Sequence, residues 1–120
     1  MDSCSKQLSR EIDLFIPGSV DTIQSSGKKV KAIHAGLLSQ DFYLASGDSS
    51  VKVLGFRLTF EDRDGNYYVL IAKKGKMLVN NWAFNPNRIH SASLVELIDI
   101  SIEMDGKCYH VPDQIYLIRK

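Results

Sequence analysis

Residues 94–120 read LVELIDISIEMDGKCYHVPDQIYLIRK, and the fold turns on how they pair. Asp105-Gly106 lies between two β-rich runs. Asp-Gly is among the strongest two-residue hairpin signals, because a type I′ turn needs positive φ at both central positions. With that turn, Ile102 faces Tyr109 and Ile100 faces Val111 on one side of the ribbon, while Ser101 faces His110 and Glu103 faces Cys108 on the other. One apolar and one mostly polar face is what a half-buried antiparallel pair requires.

The same pattern recurs upstream. Leu54, Phe56, Leu58 and Phe60 alternate with Gly55, Arg57 and Thr59, and after Glu61-Asp62-Arg63-Asp64-Gly65-Asn66 a second run extends from Tyr67 to Ala72. A turn at Asp64-Gly65 pairs Phe60 with Val69 and Leu58 with Ile71. The two hairpins together place Ile98, Ile100, Ile102, Val111, Leu58, Phe60, Val69 and Ile71 in the core.

Shorter extended pieces are read at Glu11 to Ile16 before Pro17-Gly18, at Val20 to Gly27, at Lys28 to Leu38 and at Phe42 to Leu44. Lys74-Gly75 offers another tight turn, into Lys76 to Asn80. Asn80 to Ser93 is a polar connection around Asn85-Pro86-Asn87 with room for one helical turn. The expected class is all-β, or mostly β. Antiparallel hairpins form a small β-sandwich or open-faced sheet, with at most one short helix near 85–92. Residues 1–9 read as a disordered tail and 10–120 as a single β domain.

With 120 residues, 44% hydrophobic and 24% charged, the chain has an ordinary globular composition. Fifteen Lys and Arg against fourteen Asp and Glu leave a formal charge of +1, so there is no overall electrostatic footprint for nucleic acid or an anionic membrane. Two lysine clusters, Lys28, Lys29 and Lys31, then Lys73, Lys74 and Lys76, read as protected strand edges in preference to phosphate sites. No run approaches the length of a transmembrane helix. A membrane link would need an anchor outside the sequence or an N-terminal lipid, for which Cys4 in Met1-Asp2-Ser3-Cys4-Ser5 is the candidate. The two cysteines, Cys4 and Cys108, leave a disulfide open and do not fix the compartment.

No catalytic set can be assembled, and no metal or cofactor is expected. Cys108 and His110 share a strand face, but two ligands are too few for zinc, and the pleat holds side chains two apart at roughly 6–7 Å, beyond the reach a base needs. His34 and His90 have no ligand spacing around them. Asp62 and Asp64 are read as turn residues, and Asp99 and Glu103 as residues of the solvated face. The Asp62 to Asn66 stretch lacks the chelating Glu of a calcium loop at its required offset. Trp82 and Phe84, among Asn80, Asn81, Asn85 and Asn87, are the candidate binding residues. They either stack on a sugar, anchor a partner, or cap the open end of the β core.

Val95, Asp99-Ile100, Ile102, Asp105-Gly106, Val111-Pro112 and Ile115 to Ile118 resemble the closing motif of the C-terminal domain of the GldM/PorM family, from the gliding and type IX secretion machinery of Bacteroidetes. Ala35-Gly36-Leu37-Leu38, Phe42 and Val51 to Phe56 look like that family's upstream Gly-aliphatic segment and its Lys-Val-x-x-Phe strand. The likeness spans about residues 28–118. Three departures accompany it: only Asn85 to Ala92 is available where the family has a longer helix, the Asp105-Gly106 turn is one residue shorter, and Asp113 stands in place of a second proline. The resemblance implies a non-enzymatic β domain in the periplasm or cell envelope that binds a protein component of that envelope. The alternatives are a small-molecule or glycan-binding β-sandwich using Trp82 and Phe84, and a soluble cytoplasmic location. A homo-oligomer through a sheet edge is compatible with either.

Overall fold

A computed structural model describes residues 4, 6–8, 12–23, 26–27 and 29–120. Glu11 and Lys28, which open two of the expected runs, Gln24-Ser25 within a third, and most of the expected tail lie outside these residues. Twelve strands are described: β1 Lys6–Gln7, β2 Leu14–Phe15, β3 Val20–Ile23, β4 Lys29–His34, β5 Phe42–Tyr43, β6 Ala45–Ser46, β7 Val51–Glu61, β8 Tyr67–Lys73, β9 Lys76–Met77, β10 Leu94–Met104, β11 Lys107–Val111 and β12 Gln114–Arg119. One helical turn, α1 (Ala35–Leu38), follows β4, so the extended reading of 28–38 ends at His34. There His34 Nδ1 accepts the Gly36 N–H at 3.1 Å and caps the turn. Short 3-10 helices span Val79–Asn81 and Pro86–Ser91; the second lies within the segment expected to hold a helix, while α1 and the first exceed the single short helix expected. The protein is mostly β, as its sequence indicates.

A single curled sheet runs β3-β4-β12-β10-β7-β8-β9-β5, with β11 on the far half of β10 and β1 beside β11, while β2 and β6 form a separate pair. The closing hairpin has the register its sequence implies: Ile100 opposes Val111, Ile102 opposes Tyr109, and Glu103 opposes Cys108. Asp105 (φ 54°) and Gly106 (φ 75°) form the tight turn.

The other hairpin is offset by one residue. Phe60 pairs with Tyr68 and Leu58 with Leu70, where Val69 and Ile71 were expected. The cause is Asp62. Its carboxylate accepts the N–H of Asp64 at 3.0 Å and of Asn66 at 2.9 Å, and the Gly65 N–H donates to Asp62 O at 3.1 Å. Only Gly65 takes a positive φ (86°) here. The connection is therefore a type I turn closed by a glycine bulge, a three-residue loop in place of two. A one-residue slip turns every side chain over. Val69 (50% exposed) and Ile71 (62% exposed) lie outside the core, and Tyr68 and Leu70 point inward.

A second correction concerns Ile98, which is only half-buried. Between β7 and β10 the register shifts twice. β10 carries an extra residue opposite Phe56, where Asp99 takes a φ of 52°, and β7 carries an extra residue, Leu54, by the step from Ser101 to Ile102. The two bulges cancel in register and switch parity in both strands. Val95 and Leu97 face inward before the bulge, and Ile100, Ile102 and Met104 after it. On β7, Val51 and Val53 give way to Phe56, Leu58 and Phe60. Ile98 thereby falls on the outer face beside Arg57, whose guanidinium reaches Asp99 at 3.5 Å across solvent.

The inner face packs on Leu38 of α1, Ile89 of the second 3-10 helix, and Leu14 and Ile16 around β2. Tyr116, fully buried, ties the last group in. Its hydroxyl donates to Gln114 Oε1 at 2.7 Å and accepts the Ile16 N–H at 3.2 Å, and Gln114 Nε2 donates to Leu14 O at 2.9 Å. The segment expected to be a disordered tail is partly held. Lys6–Gln7 pair in parallel with Tyr109–His110, the Leu8 N–H donates to His110 O at 3.0 Å, and Cys4 forms a disulfide with Cys108.

Candidate functional site

Strand β8 is bonded along one side only. From Tyr67 to Lys73 it pairs with β7, and among the described residues its only other strand pairing is Lys73 opposite Lys76, across the Lys74-Gly75 turn. The backbone bond from Asp62 N–H to Asn66 O, 2.9 Å, fixes the phase of the ladder. Hydrogen-bonded and non-hydrogen-bonded pairs alternate in an antiparallel ribbon. Tyr68, Leu70 and Ala72 therefore exchange bonds with β7, and the N–H and C=O groups of Tyr67, Val69 and Ile71 point to the open side. The side chains of the same three residues are exposed, Tyr67 by 65%.

No other open edge in the described sheet matches it. β5 and β1 are two residues long, and β3 is four, with Asp21 and Lys31 bonded across it at 3.0 Å. Beyond β8 the outer face continues as cross-strand rows: Ile71, Arg57 and Ile98 in one, and Val69, Thr59, Glu96 and Ile115 in the next. The edge thus opens onto a surface with aliphatic side chains at both ends of each row.

Trp82 and Phe84 sit at the inner side of the same strand. Phe84 lies 4.5 Å from Tyr68, Tyr68 stacks on Phe60 at 4.8 Å, and Trp82 stacks on Phe84 at 5.2 Å, a ladder of rings from the core to the rim. Both residues are half-buried, and Trp82 Nε1 is buried without a hydrogen-bond partner. The rings cap the end of the core beside β8 and keep part of their surface in solvent.

The turn that leads into β8 is built on Asp62, whose side chain is 1% exposed. Besides the two backbone N–H groups, it accepts from Asn66 Nδ2 at 3.3 Å, Tyr68 Oη at 3.1 Å and Arg88 Nη1 at 3.3 Å. Burial pushes the carboxyl upward, but the bonds from Asn66, Tyr68 and Arg88 outweigh it and hold the pKa at about 2, against an ordinary 3.8. Ser91 Oγ accepts the Arg63 N–H at 3.2 Å and donates to Arg88 O at 3.0 Å, so the 3-10 helix and the turn are fastened together. Between them lies an open polar cleft of about 610 Å³, lined by Arg63, Asp64, Asn85, Asn87, Arg88 and Lys120 among others.

Because the folded pKa lies below the ordinary value, ionised Asp62 contributes stability that is fully present above pH 3.8 and is lost as the pH falls toward about 2. Asp62→Asn is expected to be less stable than the parent at neutral pH, and the gap should close across that acid window. Urea unfolding at a series of pH values measures it, and a gap that stays constant with pH would show that the charge is not what holds the turn.

The remaining sequence candidates are dispersed. Cys108 is bonded to Cys4, which removes both sulfurs from metal, nucleophile or acyl chemistry. His110 lies on β11, His34 caps α1, and His90 Nε2 meets Ser39 Oγ at 3.2 Å. Lys73, Lys74 and Lys76 ring the turn at one end of β8. The lysines at 73–76 point to a strand edge, but the expected pairing puts two of its three exposed residues, Val69 and Ile71, in the core. The signal was present in Asp62, an Asx residue able to lengthen the turn by one. No described helix is long and apolar enough to cross a membrane. Compared with known families and with curated proteins, the chain matches none.

Proposed function

We propose that this protein is a non-enzymatic interaction domain that takes up an extended partner segment along the open edge of β8. The observation that carries the reading is the row of Tyr67, Val69 and Ile71, which offers outward backbone groups and exposed apolar side chains together. An added strand gains main-chain hydrogen bonds from such an edge and side-chain selectivity from the pockets beside it. Here the Tyr68-Phe84-Trp82 rings flank the edge on its inner side. Three of the side chains capable of chemistry have structural partners: Asp62 serves the turn, Cys108 is bonded to Cys4, and His90 meets Ser39.

The Cys4–Cys108 disulfide supports a location outside the cytoplasm, since such bonds persist in oxidising compartments. The likeness of the closing hairpin to the GldM/PorM C-terminal domain supports a cell-envelope partner of the gliding or type IX secretion kind. A glycan-binding reading has one observation of its own, the polar cleft adjoining Asn85 and Arg88, whose planar side chains suit sugar hydroxyls.

The test is a photo-crosslinking residue placed at Ile71 and, as a control, at Lys107 in the closing turn. Expression in a cell-envelope host should give discrete adducts from position 71 and none from position 107. Adducts equally frequent at both positions, or absent at 71, would reject the edge as the docking site.

A further inference from the structure

Resting on that reading of the β8 edge, we infer that the edge pairs with the same edge of a second copy of this chain, antiparallel about a two-fold axis at Val69, to form one continuous sheet. Three observations converge on this partner and this register. Residues opposite one another across an antiparallel pair share a face, so a symmetric pairing must centre on a residue, and Val69 and Leu70 are the central choices. A Leu70-centred register would set Tyr67 against Lys73 of the second copy, whose outward groups already pair with Lys76. The Val69-centred register sets Val69 against Val69 and Tyr67 against Ile71 in both directions, which satisfies every outward N–H and C=O group of those three residues.

Charge selects the same arrangement. One end of β8 carries Lys73, Lys74 and Lys76, and the other carries Glu61 and Asp64 around one cation, Arg63, all exposed, so the two ends differ in sign. A parallel neighbour would bring like charges together at both ends. The antiparallel copy brings the lysine-bearing end of each β8, with Lys74 in its turn, to the end of the other that carries Glu61 and Asp64. On the outer face the exposed side chains of Tyr67, Val69 and Ile71 would meet those of the second copy as aromatic–aliphatic and aliphatic pairs, the combinations that stabilise sheets.

Sedimentation velocity on the full chain over a range of concentrations tests the inference. The expected result is a reversible monomer–dimer equilibrium. Val69→Pro removes an N–H that takes no part in the β7 ladder, a change edge strands tolerate, and should weaken the dimer by roughly tenfold or more. Because proline also restricts the backbone of the strand itself, a charge exchange provides a second test. Asp64→Lys and Lys74→Glu should each weaken the dimer, and the double variant should recover most of the loss. A chain that stays monomeric throughout, or a double variant no better than the single ones, overturns the inference. The crosslinks from Ile71 separate this failure from that of the broader reading. Adducts to a different protein from a monomeric chain would overturn the second copy alone, whereas no adducts at all would overturn both.

Discussion

Ile100→Ala is expected to destabilise the protein by roughly 2–5 kcal/mol, the range for truncating a fully buried aliphatic side chain in a packed core. Ile100 has no exposure, stands directly after the Asp99 bulge, and pairs with Val111 on the inner face. The same truncation at Val69 or Ile71 should change stability by no more than about 0.5 kcal/mol, because both side chains already stand largely in solvent. Urea unfolding of the three variants at one pH reads the difference. If Ile71→Ala proved as costly as Ile100→Ala, the offset register of the β7–β8 hairpin would be wrong, and with it the open edge.

That contrast also marks how far the fold could be read in the chain. Asp105-Gly106 permits one turn type, and the alternation on both sides agrees with it, so local and long-range signals pointed to the same register. At Asp62 to Asn66 they did not. Asp64-Gly65 advertised a two-residue turn, while the Asp62 carboxylate, three bonds from the backbone, organised a longer one through Asp64 and Asn66. Both registers bury Leu58 and Phe60, so the β7 pattern was indifferent between them. On β8 the run Tyr67 to Ala72 is apolar on both faces, so periodicity was indifferent there too. The Asp99 bulge was hidden for a related reason: Leu97, Ile98 and Ile100 are all aliphatic, and a strand apolar on both faces does not reveal where its parity changes.

The candidate site was legible only in its flanks. Trp82 and Phe84 stood out as aromatics in a polar loop, and they do lie beside β8, Phe84 against Tyr68 and Trp82 stacked on Phe84. The edge itself is made of backbone groups, which no side-chain pattern encodes. It exists because β9 is only two residues long and departs after one pairing with β8. An open edge is a consequence of where the next strand goes, a property of the topology more than of any residue in the strand. Lys73 and Lys76 were read as edge-protecting lysines, and they do stand at the end of β8 where it meets β9.

Removing the Cys4–Cys108 bond should have an effect as large as the core truncation, for a different reason. The two cysteines are 104 residues apart in the chain, and their Cα atoms lie 4.8 Å apart. A cross-link across so long a loop restricts the unfolded chain severely, and loss of a native bond of this kind typically costs 2–5 kcal/mol. The folded state contributes little to resist that loss at the N-terminal end, where β1 is two residues long and Leu8 adds one backbone bond to His110. The double variant Cys4→Ser/Cys108→Ser is therefore expected to unfold at lower urea than the oxidised parent. Reductant should bring the parent to the same midpoint and leave the variant unmoved. The β7–β8 ladder lies on the other side of β10 from β11, so amide exchange on Tyr68 and Leu70 under native conditions should hardly change, while His110, whose backbone groups face β1, loses protection. Identical midpoints for oxidised parent and double variant would show that the bond does not form in the folded protein, and would also remove the main physical support for a location outside the cytoplasm.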